Sequence, residues 1–369
     1  MARDWYRIEN EDEVPSPALL VYPERIATNI LRTIAQAGGA DRLRPHVKTH
    51  KLPQVVRMLV DRGVGKFKAA TIAEAEMTAA AGGRDVLLAY PAVGPTAGRL
   101  AELVRRFPAT RFHAIADSDR GVADLAAAAA ARGVTIDVLV DLDVGMHRTG
   151  VAAGPAAAAV YRKIATTPGL TAGGLHAYDG QLHDADHDRL RAAVAAAFAP
   201  VWRLRDELRA SGVPVPLVVA SGTPTFPILA EQPGVEVGAG TTVLWDAGQP
   251  ELSPDLDFLH AALLLVRVVS RPTPDRLCLD LGHKAVASEM PHPRVRIFGL
   301  EDATFAMHSE EHLVVETPRA AEFPEGTVLY AVPRHVCPTV ALHAEVVVVE
   351  GGRAIDRWPV TARARRLTV

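Results

Sequence analysis

The sequence predicts an α/β fold, a (β/α)8 barrel of the TIM type followed by an all-β carboxy-terminal domain. Between Leu43 and Gly238, eight short apolar segments alternate with segments of helical spacing, and eight is the strand number of a closed barrel. From about residue 255 onward, strand-like segments follow one another with Gly, Pro and acidic turns between them and almost no helical period. We therefore expect the barrel to span residues 18–250 and the β domain to span residues 255–369.

Composition excludes several classes of function. The chain has 369 residues, of which 49% are hydrophobic and 22% charged, as in ordinary globular proteins. Its net charge of −3 provides no basic field for nucleic acid. The first residues form no apolar leader, and no uncharged apolar run reaches the roughly 18 residues of a membrane span. We expect a cytoplasmic protein without a membrane partner, and its two cysteines do not suggest a disulfide framework.

The amino-terminal segment precedes the eight-strand series. Residues 1–17 are polar, and the segment 18–22 has the apolar pattern of a buried strand. The pattern leaves two places open for this strand, in the second domain or leading into the barrel. A helix is predicted over 23–37, and Gly38-Gly39 ends it.

The barrel alternation can be followed strand by strand. The predicted strands cover 43–48, 66–70, 86–90, 112–117, 137–143, 174–178, 217–221 and 235–238, and helical spacing follows each of the first seven. Thr71 and Glu74 stand at the spacing of a capping box at the start of one of these helices. An open doubly wound sheet is the alternative, but it would need a G-x-G-x-x-G after its first strand, where none occurs. The predicted strands of the second domain cover 258–269, 276–281, 295–300, 312–316, 328–332 and 345–349.

Lys48 ends the first predicted strand, and barrel enzymes carry their chemistry at the carboxyl ends of strands. Nearby cationic side chains and a partly dry site would disfavour its ammonium form, so Lys48 could be a free amine ready to form a Schiff base. These cations are Arg44, His46, His50 and Lys51. The alternative is a solvated basic loop, and the position of Lys48 is what favours a site.

The loops after strands seven and eight combine small residues with hydroxyls, which lets backbone N–H groups and side-chain oxygens approach an anion. They contain Ser221, Gly222 and Thr223 after strand seven, and Gly238 and Gly240 after strand eight. Barrels frequently bind phosphate there, and strand one is adjacent once the barrel closes. A lysine beside a phosphate cup suits pyridoxal 5′-phosphate, whereas the alternative is that these loops are simply turns.

Two further residues end strands five and six. Arg148 could hydrogen-bond the phenolic oxygen of the cofactor ring, or it could form an ion pair with Asp141 or Asp143. Tyr178 could orient or pack against the ring, or it could be an ordinary half-buried tyrosine.

A second group of chemistry-bearing residues lies in the β domain. On a strand, His335 and Cys337 would face the same side and offer a nitrogen and a sulfur to one cation, a pair suited to zinc. Two protein ligands would leave the metal open to substrate, as in catalytic sites. The alternative for H-x-C is a structural role, and Cys278 in its apolar surroundings is most simply a core residue.

Six motifs taken in order resemble the D-threonine aldolase and D-serine dehydratase-like family of fold-type III pyridoxal-phosphate enzymes, over nearly the whole chain. They are R-P-H-V-K-T-H-K, D-V-G-M-H-R-T-G-V, G-L-H-A-Y-D-G-Q, S-G-T-P-T, the S-E-E-H of Ser309–His312, and H-V-C-P-T. The resemblance implies an alanine-racemase-like barrel, a homodimer, and a divalent metal (zinc, manganese or magnesium) beside the cofactor.

The resemblance also implies roles for matching residues. Lys48 would be the lysine that holds the cofactor, and Arg148 and Tyr178 would contact it. Around the phosphate would lie Ser221, Gly222, Thr223, Gly238 and Gly240. His335 and Cys337 would hold the metal. His183 resembles a histidine that the aldolases place near the substrate hydroxyl, although the loop spacing differs.

The substrate implied is a D-configured β-hydroxy-α-amino acid, and two lyase reactions are open. Aldolase chemistry would give glycine and an aldehyde, whereas D-serine or 3-hydroxy-D-aspartate dehydratase chemistry would give a 2-oxo acid and ammonia. His-x-Cys is the dehydratase pattern, while Lys284 in D-L-G-H-K and the whole-chain resemblance favour the aldolase. An amino-acid racemase or a non-catalytic cofactor carrier are the remaining alternatives, and the His335–Cys337 pair disfavours the carrier.

Overall fold

The computed structural model describes residues 4–369. Met1–Arg3, which belong to the start of the chain where the sequence predicts no apolar leader, lie outside the described residues. The strands are β1 Ala18–Val21, β2 Lys66–Ala69, β3 Asp85–Leu88, β4 Arg111–Ala116, β5 Ile136–Asp143, β6 Val151–Ala152, β7 Leu170–Ala177, β8 Val218–Ala220, β9 Val235–Val237, β10 Ala262–Ser270, β11 Arg276–Leu279, β12 Val295–Ile297, β13 Thr304–His308, β14 Leu313–Glu316, β15 Val328–Pro333, β16 Glu345–Glu350 and β17 Arg353–Pro359. The α-helices are α1 Pro23–Ala37, α2 Pro53–Val60, α3 Ile72–Ala80, α4 Pro95–Arg106, α5 Asp119–Arg132, α6 Pro155–Thr166, α7 His187–Ala210, α8 Phe226–Ala230, α9 Gln249–Leu252 and α10 Val336–Leu342. No helix within residues 4–369 combines the length and apolar character needed to cross a membrane.

One compact unit contains the parallel sheet and comprises Leu31–Lys48, Pro53–Gly240 and Ala364–Val369. Its strands lie in the order β2-β3-β4-β5-β7-β8-β9, with the short β6 beside β5. Helices alternate with these strands along the chain, as the sequence predicts. The predicted capping residue Thr71 accepts a hydrogen bond from the backbone N–H of Glu74 at 3.1 Å. The unit is the predicted α/β barrel.

The first predicted strand, 43–48, is wrong as a regular strand. Leu43 forms a parallel bridge to Val237 of β9, and His46 forms one to Lys68 of β2, so the segment closes the ring with two isolated bridges. Pro45 lacks an N–H and cannot donate to a sheet ladder, which explains the interruption. The chain then enters a 3-10 turn over Val47–Thr49, and Lys48 lies on this turn.

The second compact unit comprises the described residues up to Ile30, Thr49–Leu52 and Thr241–Arg363. Its sheet has the order β13-β14-β11-β10-β1-β16-β17, and β15 pairs with β10 and β12. β1 runs antiparallel to β10 and parallel to β16, so the strand that the sequence left open belongs to this sheet. Ile8 and Val14 lie in the same hydrophobic core as Leu20, Leu265 and Tyr330.

The second unit contains the β domain that the sequence predicts, but it also contains a short helix where the sequence predicts a strand. The helix α10 contains Cys337, and His335 is its N-cap residue. The sequence predicts a strand at His335 and Cys337, because this short segment shows no helical period. Pro338 lies in the first turn of the helix, where proline is tolerated because its missing N–H has no partner there. The carboxylate of Asp246 accepts a hydrogen bond from Val336 N at 2.9 Å and so supports the start of the helix. The prediction also misses β13 and β17, whose residues are mostly exposed and therefore form no apolar run.

Arg44 is fully buried in the barrel unit and is paired with two carboxylates. Its guanidinium lies 2.5 Å from Asp85 and 2.7 Å from Glu236, and Lys66 also contacts Glu236 at 2.5 Å. His113 Nε2 lies 3.0 Å from the same Asp85 carboxylate. The sequence counts Arg44 among the free cations near Lys48, but these carboxylates neutralise it.

We expect Arg44→Met to lower the free energy of unfolding by about 3–5 kcal/mol, because it leaves carboxylates in the barrel without their buried partner. Urea unfolding followed by circular dichroism measures the loss. Arg120→Met is the control, since Arg120 is exposed and its pair with Asp124 should contribute about 0.5 kcal/mol or less. Equal stability of the two variants would contradict this role of Arg44.

Candidate active site

A cavity of about 440 Å³ lies at the carboxyl ends of the barrel strands. This volume falls within the range of roughly 300–1,000 Å³ that small-molecule sites occupy. Three residues predicted from the sequence, Lys48, Arg148 and Tyr178, meet in its wall. The other lining residues are His46, Lys68, Ala70, Ala89, Tyr90, Pro91, Val93, Thr149 and His176.

The Tyr178 ring is the centre around which the cationic groups of the cavity gather. The Cζ atom of Arg148 lies 4.8 Å from the ring centroid, and the Nζ atoms of Lys48 and Lys68 lie 5.7 and 6.0 Å from it. All three distances are within the reach of a cation–π interaction. The site therefore concentrates positive charge around one aromatic face, as a dianionic ligand with a flat ring requires.

Arg148 does not form the ion pair that the sequence offers as its alternative role. The Asp143 carboxylate accepts hydrogen bonds from Gly145 N and His147 N and contacts the His147 ring at 2.7 Å. Burial raises the pKa of Asp143, but the hydrogen bonds from His147 and Gly145 outweigh it and lower that pKa. With this carboxylate engaged inside its own loop, the exposed Arg148 side chain lies over Tyr178 instead.

Asp141, the other suggested partner of Arg148, contacts two other side chains, Thr149 and His176. Its carboxylate accepts a hydrogen bond from Thr149 Oγ1 at 2.8 Å and lies 2.7 Å from Nδ1 of His176. Asp141 and His176 stand opposite one another on β5 and β7. His176 is buried, lines the cavity, and is not assigned a role by the sequence. Its position two residues before Tyr178 in the predicted strand 174–178 could have identified it, since residues two apart on a strand face the same side.

The two loops predicted to bind phosphate are buried and are joined to each other. Gly238 N donates hydrogen bonds to Ala220 O and to Ser221 Oγ, each at 3.0 Å. Gly222 N donates to Asp179 Oδ1 at 2.6 Å. Protein acceptors therefore engage the N–H groups of Gly222 and Gly238. Thr223 and Gly240 are the other predicted residues of these loops, and both are buried.

Lys68 is the main residue of the cavity that sequence reasoning misses. It is 2% exposed, and its Nζ lies 3.4 Å from the carbonyl oxygen of Ser221. Burial lowers the pKa of Lys68 to about 7, and the charge of Lys48 lowers it further than any other neighbour. On β2, Lys66 and Lys68 alternate with the buried Phe67, a pattern typical of a strand with one solvated face. The signal that could have found Lys68 is its place near the carboxyl end of a barrel strand.

His183 lies apart from the other predicted residues of the barrel. It is exposed in the segment between β7 and α7, and it does not line the cavity. In this structure the histidines that line the cavity are His46 and His176.

His335 and Cys337 meet in the second unit, although by a different local structure from the predicted strand. As N-cap and second residue of α10, they lie within hydrogen-bond reach of each other. Burial lowers the pKa of His335, but the interactions with Cys337 and Glu289 outweigh it and raise that pKa to about 9. Burial raises the pKa of the Cys337 thiol, but His335 outweighs it and lowers that pKa, which favours the thiolate that binds metals.

These donors fit an open divalent metal site. Glu289 contacts His335 Nδ1, as a carboxylate commonly does to orient a metal-binding histidine, and this leaves Nε2 for a metal. The Cys337 Sγ is 3.2 Å from Thr49 Oγ1. Within the part of the chain that the structure describes, no group of three or more His, Cys, Asp or Glu side chains could hold a metal. The protein would thus supply two ligands and leave further positions open, as catalytic zinc sites do for substrate.

The cavity likewise fits pyridoxal 5′-phosphate. It supplies the amine of Lys48 for an aldehyde, two further basic groups, Lys68 and Arg148, that would offset the negative charge of the cofactor, and an aromatic face for a ring. Comparisons with known proteins agree with this reading. Residues 21–243 match the family described as alanine racemase, N-terminal domain, and residues 261–349 match the serine dehydratase domain. Fold and site together define a fold-type III pyridoxal-phosphate enzyme.

Relatives of similar length narrow the class. The chain is 32% identical over 363 residues to D-threonine aldolase from Arthrobacter sp., covering 95% of this chain and 93% of the relative. It is 29% identical over 372 residues to 3-hydroxy-D-aspartate aldolase from Paracoccus denitrificans, covering 96% and 94%. It is 26% identical over 368 residues to D-threo-3-hydroxyaspartate dehydratase from Delftia sp., covering 93% and 96%.

Solved structures agree with the sequence relatives. The crystal structure of D-threonine aldolase from Filomicrobium marinum matches with a TM-score of 0.87 at 29% identity, over 99% of this chain and 100% of that one. The chain therefore belongs to the D-threonine aldolase and D-serine dehydratase-like family of pyridoxal-phosphate-dependent lyases.

Proposed function

We propose that the protein is a pyridoxal-phosphate- and divalent-metal-dependent lyase that cleaves D-configured β-hydroxy-α-amino acids to glycine and an aldehyde, as D-threonine aldolases do. The observation that carries the proposal is the convergence of Lys48, Arg148 and Tyr178 on one cavity. Similarity to an aldolase over 95% of the chain supports the choice of reaction.

Different residues of the barrel contact different groups of the cofactor. Lys48 is the amine that bonds the cofactor aldehyde, Arg148 hydrogen-bonds the phenolic oxygen, and Tyr178 packs against the ring. Ser221 and the loop residues Gly222, Thr223, Gly238 and Gly240 surround the phosphate. When bound, the cofactor supplies an electron-withdrawing ring that makes the bonds to the substrate α carbon labile.

His335 and Cys337 hold the metal, and Glu289 orients His335 through Nδ1. A divalent ion there would supply Lewis acidity toward the substrate hydroxyl. A nitrogen and thiolate donor pair favours zinc over manganese and magnesium, which prefer oxygen ligands.

Histidines are the groups available to take the proton of the substrate hydroxyl. His183 is assigned this role by resemblance, and it is exposed in this structure. His176 lines the cavity, and Asp141 holds its Nδ1, which leaves Nε2 able to accept a proton. In the alternative dehydratase reaction, the Lys48 amine removes the α proton and the hydroxyl leaves as water.

The proposal also covers the domain that holds each ligand, the oligomeric state and the location of the protein. We place the cofactor in the barrel domain, expected from the sequence at residues 18–250, and the metal ligands in the second domain, expected at residues 255–369. The strand β1 within the first of these ranges pairs with β10 and β16 of the second unit. We also propose a homodimer in the cytoplasm, on the strength of the family resemblance.

Product analysis tests the reaction. The pure protein, loaded with pyridoxal phosphate and zinc or manganese, should convert D-threonine to glycine and acetaldehyde, because the substrate then loses its Cα–Cβ bond. L-threonine is the control for configuration and should give no product. A 2-oxo acid with ammonia from D-threonine or D-serine would establish the dehydratase instead. An L-configured amino acid as product would establish a racemase, and a loaded protein without any product would support the carrier.

Metal binding gives a second test. Cys337→Ala should lower zinc affinity by about tenfold or more, because it removes one of two protein donors, while the visible absorption of the bound cofactor remains. Equilibrium dialysis with metal analysis measures the affinity. Cys278→Ala is the matched control and should bind zinc as the parent protein does. Equal zinc binding by both variants, or activity that survives chelation, would refute the metal assignment.

A further inference from the structure

The proposed function leaves one polar atom of the cofactor without a partner, and the following inference rests on that function. Pyridoxal phosphate has an aldehyde, a phenolic oxygen, a phosphate and a ring nitrogen. The first three are assigned to Lys48, to Arg148 and to the loops after β8 and β9. A ring nitrogen that is buried in the cavity needs a hydrogen-bond partner, because a buried polar atom left unpaired is costly.

Lys68 is the buried polar group of the cavity that the proposed function leaves unused. Its side chain extends from β2 into the barrel and is 2% exposed, whereas Lys48 and His46 are partly exposed. Its Nζ lies 3.4 Å from Ser221 O and 6.0 Å from the centroid of the Tyr178 ring. The amine thus lies beside the loops after β8 and β9 and near the tyrosine ring that Lys48 and Arg148 also approach.

The position of the Lys68 amine depends on the glycine at residue 238. A Cβ atom on Gly238 would lie only 2.1 Å from Lys68 Nζ and 2.4 Å from its Cε. Any side chain at residue 238 would therefore take the place of the lysine. Gly238, the residue directly after strand β9, has no side chain, and Lys68 of β2 fills the space that this leaves.

The surroundings of the amine suit a neutral ring atom better than a phosphate. The amine donates a hydrogen bond to the Ser221 carbonyl, which is an acceptor and would repel an anion. Gly238 N, the donor at the same point, is already bound to Ala220 O and Ser221 Oγ. The buried carboxylate of Asp179, which interacts electrostatically with Lys68, adds negative charge to this part of the cavity. We therefore expect the phosphate to bind other groups of these two loops, and not the Lys68 amine.

We infer that Lys68 is a further cofactor-contacting residue, whose amine faces the pyridine nitrogen of pyridoxal phosphate from the floor of the cavity. Its N–H donates to the ring nitrogen and places a positive charge at the end of the ring opposite the reacting carbon. There it stabilises the negative charge that the ring receives from the substrate. Because burial lowers the pKa of Lys68 to about 7, the proton can be shared with a ring nitrogen near neutral pH.

Nuclear magnetic resonance of the loaded protein tests the inference without relying on activity. The probe is pyridoxal phosphate labelled with 15N in the ring, and the 31P signal of the same cofactor is recorded alongside. Lys68→Met should move the ring 15N signal toward the value of free, unprotonated pyridine and leave the 31P signal in place. Cofactor affinity should fall by about tenfold, as expected for the loss of one charge-assisted hydrogen bond.

Two further variants make the test specific. Gly238→Ala should shift the 15N signal in the same direction, because its Cβ displaces the amine. Lys66→Met is the matched control, since Lys66 lies two residues earlier on β2 and pairs with Glu236. It should leave both signals unchanged. Without its cofactor, Lys68→Met should unfold at the same temperature as the parent or a higher one, because it removes a buried charge.

A Lys68→Met protein whose 31P signal moves while the 15N signal stays would overturn the inference and make Lys68 a phosphate ligand. A change in both signals, or in neither, would also overturn it, as would a lower unfolding temperature in the absence of cofactor. Failure of the proposed function is a separate outcome, because the parent protein would then not develop the visible absorption of bound pyridoxal phosphate.

Discussion

The closure of the barrel by residues 43–46 is the constraint on which the site depends. Two single bridges, from Leu43 to Val237 and from His46 to Lys68, join this segment to the last and first regular strands. Pro45 between them prevents a full ladder, and the chain leaves at once into the turn that carries Lys48. The same segment buries Arg44 between two carboxylates, which stabilises the barrel. The turn that follows the segment carries Lys48, which serves the chemistry.

Electrostatics distinguish the two candidate sites. In the barrel cavity, Lys48, Lys68 and Arg148 gather around one tyrosine, and such a group of like charges is favourable only when an anion joins it. In the second unit, the opposite holds, since Cys337 and Glu289 surround His335 with acidic groups that attract a cation. A dianionic cofactor and a divalent metal are the ligands that relieve these two imbalances.

Much of the fold follows from sequence pattern, because apolar periodicity and turn residues report on local structure. The barrel alternation and the Thr71 cap are examples. The errors have physical causes. The seven-residue helix α10 is too short to show a helical period in the sequence, and the exposed strands β13 and β17 lack the apolar residues that would reveal them. Lys68 escapes prediction because a buried lysine and a surface lysine look the same in the sequence. In the structure, the absence of a side chain at Gly238 leaves the space that the buried amine occupies.

Borohydride reduction of the loaded protein, followed by peptide mass mapping, tests the central claim most directly. Reduction makes the bond between the cofactor and its lysine permanent, and digestion then shows which lysine carries the added mass. The account predicts the label on the peptide that contains Lys48, with the peptide of Lys68 unlabelled. Label on Lys68, or spread over surface lysines alone, would contradict the assignment of Lys48 as the residue that holds the cofactor.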